Sequence, residues 1–301
     1  MPFLKTFKKL MLGVAVVISL GGVFLAHSAN ASDTAPDPAI WKLSDHDSEI
    51  WLFGTIHILH PELSWRSEKV STAFKASDIV YFEAPADQKS MQPLVMQHGL
   101  NKGTPLSQQM SETGRADLKR ALASLGIPLG VTQQLEPLRP WLAGLTIAAL
   151  QIQAQGGDPE AGVERILQAD AKSIGKPIAY LESDEEQIQM LSGLSQAAQV
   201  YFLEDGLRMM IEEPNALNQL IDGWVAGDVT AIDAAMLQSL QSQQELYATL
   251  LVNRNKKWAE KIKTLMEGSG KIFIAVGAGH LAGGNSVQYY LGDYGLVPVR
   301  Q

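Results

Sequence analysis

The 301-residue chain contains no cysteine. Disulfides, thiolate metal ligands, cysteine nucleophiles and lipid attachment through cysteine are therefore all excluded. Positive charge is scarce as well: 24 Lys and Arg stand against 32 Asp and Glu, for a formal charge of −8 and a pI near 5.3. That balance predicts no nucleic-acid partner, since binding phosphate needs clustered Lys and Arg. Glycine (26) and proline (14) are too few for a collagen-like or low-complexity chain, and 46% hydrophobic content excludes disorder. Several catalytic signatures are missing too. There is no HExxH, no GxSxG and no Walker A loop, which removes helix-borne zinc proteases, serine hydrolases with a nucleophile elbow and P-loop nucleotide binding. Gly277-x-Gly279-x-x-Ala282 fits the loose dinucleotide fingerprint, but only 19 residues follow it and the next predicted strand ends at Arg300 instead of at an acid.

What is present begins with a leader. Lys5, Lys8 and Lys9 precede Leu10–Ala26, an uncharged stretch of 17 residues, and Ala29-Asn30-Ala31 supplies a small-x-small cleavage pattern. The segment 1–31 reads as a signal peptide cut before Ser32. The competing reading, an uncleaved anchor, needs about 20 apolar residues to span a bilayer. Cleavage removes three lysines and no acids, leaving a mature chain 32–301 of charge −11, with no stable membrane span. A periplasmic or otherwise secreted location follows, in which a cysteine-free chain folds on its core alone.

Along the mature chain, Ile40–Gly54 reads as a hairpin around the polar turn Ser44–Ser48, followed by a helix near Ser67–Ala76 and a strand at Ile79–Phe82. Residues 90–156 are helical in pattern, interrupted at Pro105, Pro128, Pro137 and Pro140, and Pro159–Ser173 reads as one further helix. A short strand over Lys176–Leu181 precedes a long helical region reaching Glu267. A strand at Ile272–Val276, a helix around Ser286–Leu291 and a strand at Leu296–Arg300 close the chain. Compact apolar runs bounded by Gly, Pro and acids suit a mixed, largely parallel buried sheet. The predicted class is α/β (α+β), with the sheet drawn from the chain ends and a large helical insertion between them.

The chemical signal is an echo. Ile50–Phe53 runs into Gly54-Thr55-Ile56-His57, and Ile272–Val276 runs into Gly277-Ala278-Gly279-His280. Each is a strand followed by Gly-x-x-His, and a glycine there allows a sharp turn that swings the histidine over the carboxyl edge of the sheet, where ligands bind in open α/β sheets. Glu83 ends a third strand, and Glu182 ends a fourth unless it is simply the solvated start of the helix opening at Asp184. Two imidazoles with one or two carboxylates on one edge would make a first-row divalent metal site. His46 and His98 read as surface residues and His60 as a loop residue.

These residues resemble the TraB/GumN family (PrgY- and Tiki-like). The resemblance rests on WLFGTIHILHP at 51–61, YFEAP at 81–85, KPIAYLESDEEQ at 176–187, NRNKKW at 253–258 and FIAVGAGHLAGGNSV at 273–287. It implies a fold related to erythromycin esterase-like and haem-binding ChaN-like proteins. Members similar to the animal Tiki proteins are metal-dependent proteases using Mn or Co type ions, which marks His57, His280 and Glu83 as the site and Arg254 as a further polar member. The expectation is a secreted metal-dependent hydrolase, most simply a peptidase acting on peptides or proteins. His57 and His280 would hold a divalent ion (Mn, Co, Zn or Fe), and Glu83 would be a third ligand or the general base. Arg254 would stabilise an oxyanion or form a salt bridge at the mouth of the site. The alternative is a non-catalytic periplasmic protein that captures a peptide, haem or metal ion at the same place.

Overall fold

A computed structural model describes residues 35–236 and 238–301; the proposed signal segment 1–31 lies outside the described residues. The chain divides into two compact units, one formed by residues 35–85, 158–183 and 219–301 and the other by residues 86–157 and 184–218.

The first unit carries the sheet. Its strands are β1 (Ile40–Ser44), β2 (Ser48–Thr55), β3 (Ile79–Phe82), β4 (Ile178–Tyr180), β5 (Gly270–Gly277) and β6 (Val299–Arg300), in the order β4-β3-β5-β2-β1-β6. β4, β3, β5 and β2 run parallel, whereas β1 is antiparallel to both β2 and β6. The expected mixed, largely parallel sheet is therefore present. β2 and β5 lie at its centre, so their side chains are buried on both faces and the sequence reads as unbroken apolar runs. The hairpin turn closes because Asp45 Oδ1 accepts the Asp47 and Ser48 N–H groups at 3.1 and 2.8 Å. The last strand is shorter than Leu296–Arg300. Pro298 has no N–H to give to β1, and pairing is confined to Val299 and Arg300.

Four helices of this unit bear on the site: α1 (Glu68–Ala76), α2 (Val163–Ser173), α3 (Asn253–Met266) and α4 (Val287–Gly292). The two-residue period of the strands sorts the core onto two faces. Ile50, Leu52, Ile274 and Val276 pack with Trp258 and Ile262 of α3. Phe53 and Phe273 point the other way, their rings 5.8 Å apart, and Phe74 of α1 meets Phe273 edge-on at 5.7 Å. The predicted single helix Pro159–Ser173 is broken: a 3-10 turn at Pro159–Ala161 gives way at Gly162 to α2. Val163 donates its N–H to the Ile56 carbonyl at 3.0 Å, and a Cβ on Gly162 would lie 2.0 Å from the His57 carbonyl oxygen. The chain is pressed against the first GxxH loop, and only glycine fits.

The second unit is helical, built from Gln88–His98, Glu112–Ser124, Pro140–Ala154, Asp184–Ser192, Gln196–Glu212 and shorter turns. Pro140 starts a helix instead of interrupting one, because its missing N–H costs nothing at the first position. That helix is buried over most of its circumference and shows no polar stripe. No helix among the described residues is long and apolar enough to cross a membrane.

Candidate functional site

The parallel register brings the motifs together. Gly54 pairs with Val276 and Thr55 with Gly277, so both GxxH segments leave the same edge side by side. Glu83 follows the end of β3, which pairs with β5, and Glu182 lies beyond β4, which pairs with β3. Pairing persists past the strands: Glu182 N–H donates to the Glu83 carbonyl at 2.8 Å. The glycines act otherwise than expected. Gly277 has φ −52°, open to any residue, and Gly54 lies outside the left-handed region. A Cβ on Gly54 would stand 3.1 Å from Ala278 Cα, so this glycine permits the two loops to approach. It is not there for a turn.

Arg254, in the first turn of α3, is the hub of the cluster, and a single π-helical turn, Ala248–Val252, leads into it. Such turns are frequently found at functional sites. Its Nη2 donates to Glu83 Oε2 at 2.6 Å and also to Glu182, its Nε donates to Glu182 Oε2 at 3.2 Å, and its Nη1 donates to His280 Nε2 at 2.9 Å. The guanidinium is buried over the Trp258 ring at 4.5 Å. Burial opposes its charge, but the two carboxylates outweigh burial and push its pKa above the ordinary arginine value. Of the two roles expected for Arg254, the ion pair is the one formed. It lies inside the site and not at its mouth. Glu182 is buried as well, with 6% of its side chain exposed, and is not a solvated helix start.

Glu83 is anchored on both oxygens, since Oε1 also accepts the Gly277 N–H at 2.6 Å. Burial raises its pKa, against the pull of Arg254.

His280 is fully buried, and its neighbours determine its tautomer. A guanidinium only donates, so Nε2 is the acceptor and Nδ1 carries the proton, given to Asn255 Oδ1 at 2.5 Å. Asn255 is oriented in turn by its Nδ2, which donates to the Asn285 carbonyl at 2.7 Å. Burial and the adjacent guanidinium hold the His280 pKa well below the usual histidine range.

His57 is held differently. Its Nδ1 donates to Glu164 Oε1 at 2.7 Å, and the same oxygen accepts the Thr55 hydroxyl. Burial works to lower the His57 pKa, yet the Glu164 carboxylate prevails and raises it. Glu164 is shifted down, as burial is overcome by His57 and Thr55. His57 Nε2 is buried and makes no hydrogen bond, and the charges of Glu83 and Arg254 both act on the ring.

Three of these residues were not singled out from the sequence. Thr55 and Asn255 lie inside recognised motifs next to marked residues, and Glu164 sits in a stretch read only for its apolar face. A carboxylate on the helix pressed against the first GxxH loop is a tertiary relation with no local signal. His60 is an exposed loop residue as expected, and His98 is half-buried at a helix end. The exposed Asp45, His46 and Asp47 bring ligand atoms within 4.8 Å of one another, but Asp45 is already accounted for by closing the hairpin turn.

The donor types are those a divalent first-row ion takes, but the ligand atoms of His57, His280 and Glu83 do not all lie within 4.8 Å of one another; among the described residues only those of Asp45, His46 and Asp47 do. Each histidine is tied through Nδ1 to an oxygen acceptor and offers Nε2, the arrangement that orients metal-bound imidazoles. His57 Nε2 is an orphaned buried nitrogen, and Glu83 adds a carboxylate. Arg254 occupies His280 Nε2 and one Glu83 oxygen, so those two donors are shared with the guanidinium.

Comparison with known proteins agrees with the motifs. A model of the TraB/PrgY/gumN family matches residues 39–299. The uncharacterized protein YbaP of Escherichia coli (strain K12) is 26% identical over 247 residues, covering 82% of this chain and 89% of its own length. YbaP of Shigella flexneri is 26% identical over 233 residues, covering 77% and 83% respectively. No solved structure matches.

Proposed function

The chain belongs to the TraB/PrgY/gumN family, and on that premise we propose that it is an exported metal-dependent hydrolase acting on peptides or proteins, with a fold akin to erythromycin esterase-like and ChaN-like proteins. The observation that carries this reading is the unbonded, buried Nε2 of His57, set by Glu164 beside a second histidine set by Asn255. His57 and His280 would hold the ion, of Mn, Co, Zn or Fe type, with Glu83 either a third ligand or the general base. Bound there, a divalent ion supplies Lewis acidity that polarises a carbonyl and brings the pKa of a water to about 7.

The protein's own groups do the rest. Glu164 fixes the His57 ring, and Asn255 fixes the His280 tautomer that leaves Nε2 with its lone pair. Glu83, its pKa raised by burial, is suited to take a proton and pass it on. Arg254 has its fork committed to carboxylates, so it serves by positioning Glu83 and not by meeting a substrate oxyanion. The charge of −11 on residues 32–301 disfavours anionic polymers as substrates.

Calorimetric titration of the exported chain with Mn, Co, Zn and Fe salts tests the reading. One ion should bind per chain, and His57→Ala should abolish binding while still folding, as shown by a cooperative melting transition. A folded His57→Ala that binds as the parent does would sink the proposal. Ion binding with no cleavage of a peptide library would favour the capture protein instead.

A further inference from the structure

We infer that Arg254 is an internal substitute for the cation of this site: its guanidinium and a bound divalent ion compete for the same His280 nitrogen, and an ion enters only as the guanidinium releases it. The inference rests on the metal reading proposed above.

The contested lone pair is identifiable. His280 Nε2 has one, and it points at Arg254 Nη1 2.9 Å away. Glu83 is not contested in the same way: Oε2 accepts Arg254 Nη2 at 2.6 Å and Oε1 accepts the Gly277 N–H, and each oxygen keeps a second lone pair. A metal ion and a donated N–H cannot share the single lone pair of an imidazole nitrogen. Of the three expected ligands, His57 alone presents a nitrogen the guanidinium has not engaged.

The guanidinium also has somewhere to stay. Nε and Nη2 hold Glu182, Nη1 lies 3.4 Å from the Leu250 carbonyl, and the Trp258 ring supports its face. Letting go of His280 therefore leaves Arg254 paired with both carboxylates. An arginine suits the task because it keeps its charge at every physiological pH. Without an ion, it spares the protein the cost of a buried carboxylate lacking a counter-charge. With one, it must yield His280. A competing state that dominates the ion-free protein weakens apparent affinity by the fraction of competent protein that remains.

The test compares the parent, Arg254→Gln, Arg254→Lys and His57→Ala, all as the exported chain, titrated with Mn, Co and Zn salts by calorimetry and melted with and without ion. Arg254→Gln should bind the ion about tenfold or more tightly than the parent, the loss expected if nine-tenths of the parent is in the competing state. It should melt lower without ion and gain more on ion addition. Arg254→Lys, which keeps a charge but cannot bridge three acceptors, should also bind more tightly than the parent, and it decides the question if Arg254→Gln fails to fold. Equal or weaker binding by a folded Arg254 variant, with binding by the parent and none by His57→Ala, overturns the inference and leaves the metal reading standing. No binding by any of the proteins overturns both.

Discussion

His57 owes its state to a carboxylate more than a hundred residues away in the chain. Its folded pKa is raised above the ordinary 6.5, so its share of the pairing with Glu164 is complete below that pH and is lost as pH rises through the folded value. Glu164 is lowered from 4.5, so its share is complete above that pH and is lost as pH falls through the folded value. Glu164→Gln should therefore cost most stability between about pH 4.5 and 6.5, with the gap from the parent closing on both sides; denaturant melts across a pH series read it directly. His280 gives a second prediction. Asn255→Ala leaves a buried Nδ1–H without an acceptor and should cost about 1–3 kcal/mol, measurable by chemical denaturation. The residue types His57, Glu83, Arg254 and His280 were legible from their motifs. Their protonation states were not, because each is set by a neighbour supplied from another segment.

At the scale of elements, the strands announced themselves. β2 and β5 are continuous apolar runs because central strands are buried on both faces, and β3 is as apolar although only alternate residues are fully buried; that pattern is local. Helix interruptions were less legible. The break at Gly162 answers to a close approach by the His57 carbonyl, which periodicity within residues 159–173 does not record. Gly162→Ala should force that loop to move, costing about 1–3 kcal/mol as overpacking does, and should weaken ion binding at His57 by displacing its backbone. A melt paired with an ion titration checks both. Gly54 shows the same limit, since its signature suggested a turn where the fold uses it to admit Ala278.

For the whole molecule, the absence of cysteine and the leader pattern make a prediction independent of the site. N-terminal sequencing of the protein exported by a Gram-negative host should begin at Ser32, and a retained Met1 would return the anchor reading to the front. The two compact units are interleaved in sequence. The sheet unit is assembled from three stretches, and the helical unit occupies the gaps between β3, α2 and the later helices. Chain order alone suggested one insertion, whereas residues 158–183 return to the sheet between two helical stretches.

Composition and local pattern were enough for the α/β class, the hairpin, the central strands and the two GxxH segments with Glu83, because burial, turn chemistry and motif spacing act over a few neighbouring residues. Parallel pairing of β2 with β5 then had to place both histidines on one edge, as their repeated strand-Gly-x-x-His unit predicted. What tertiary structure alone decided is who holds whom: Glu164 with His57, Asn255 with His280, and Arg254 among Glu83, Glu182 and His280. Those pairings come from segments up to 171 residues apart, meeting in a buried space where the charges must be paired. No local pattern carries that requirement; only the closed fold imposes it.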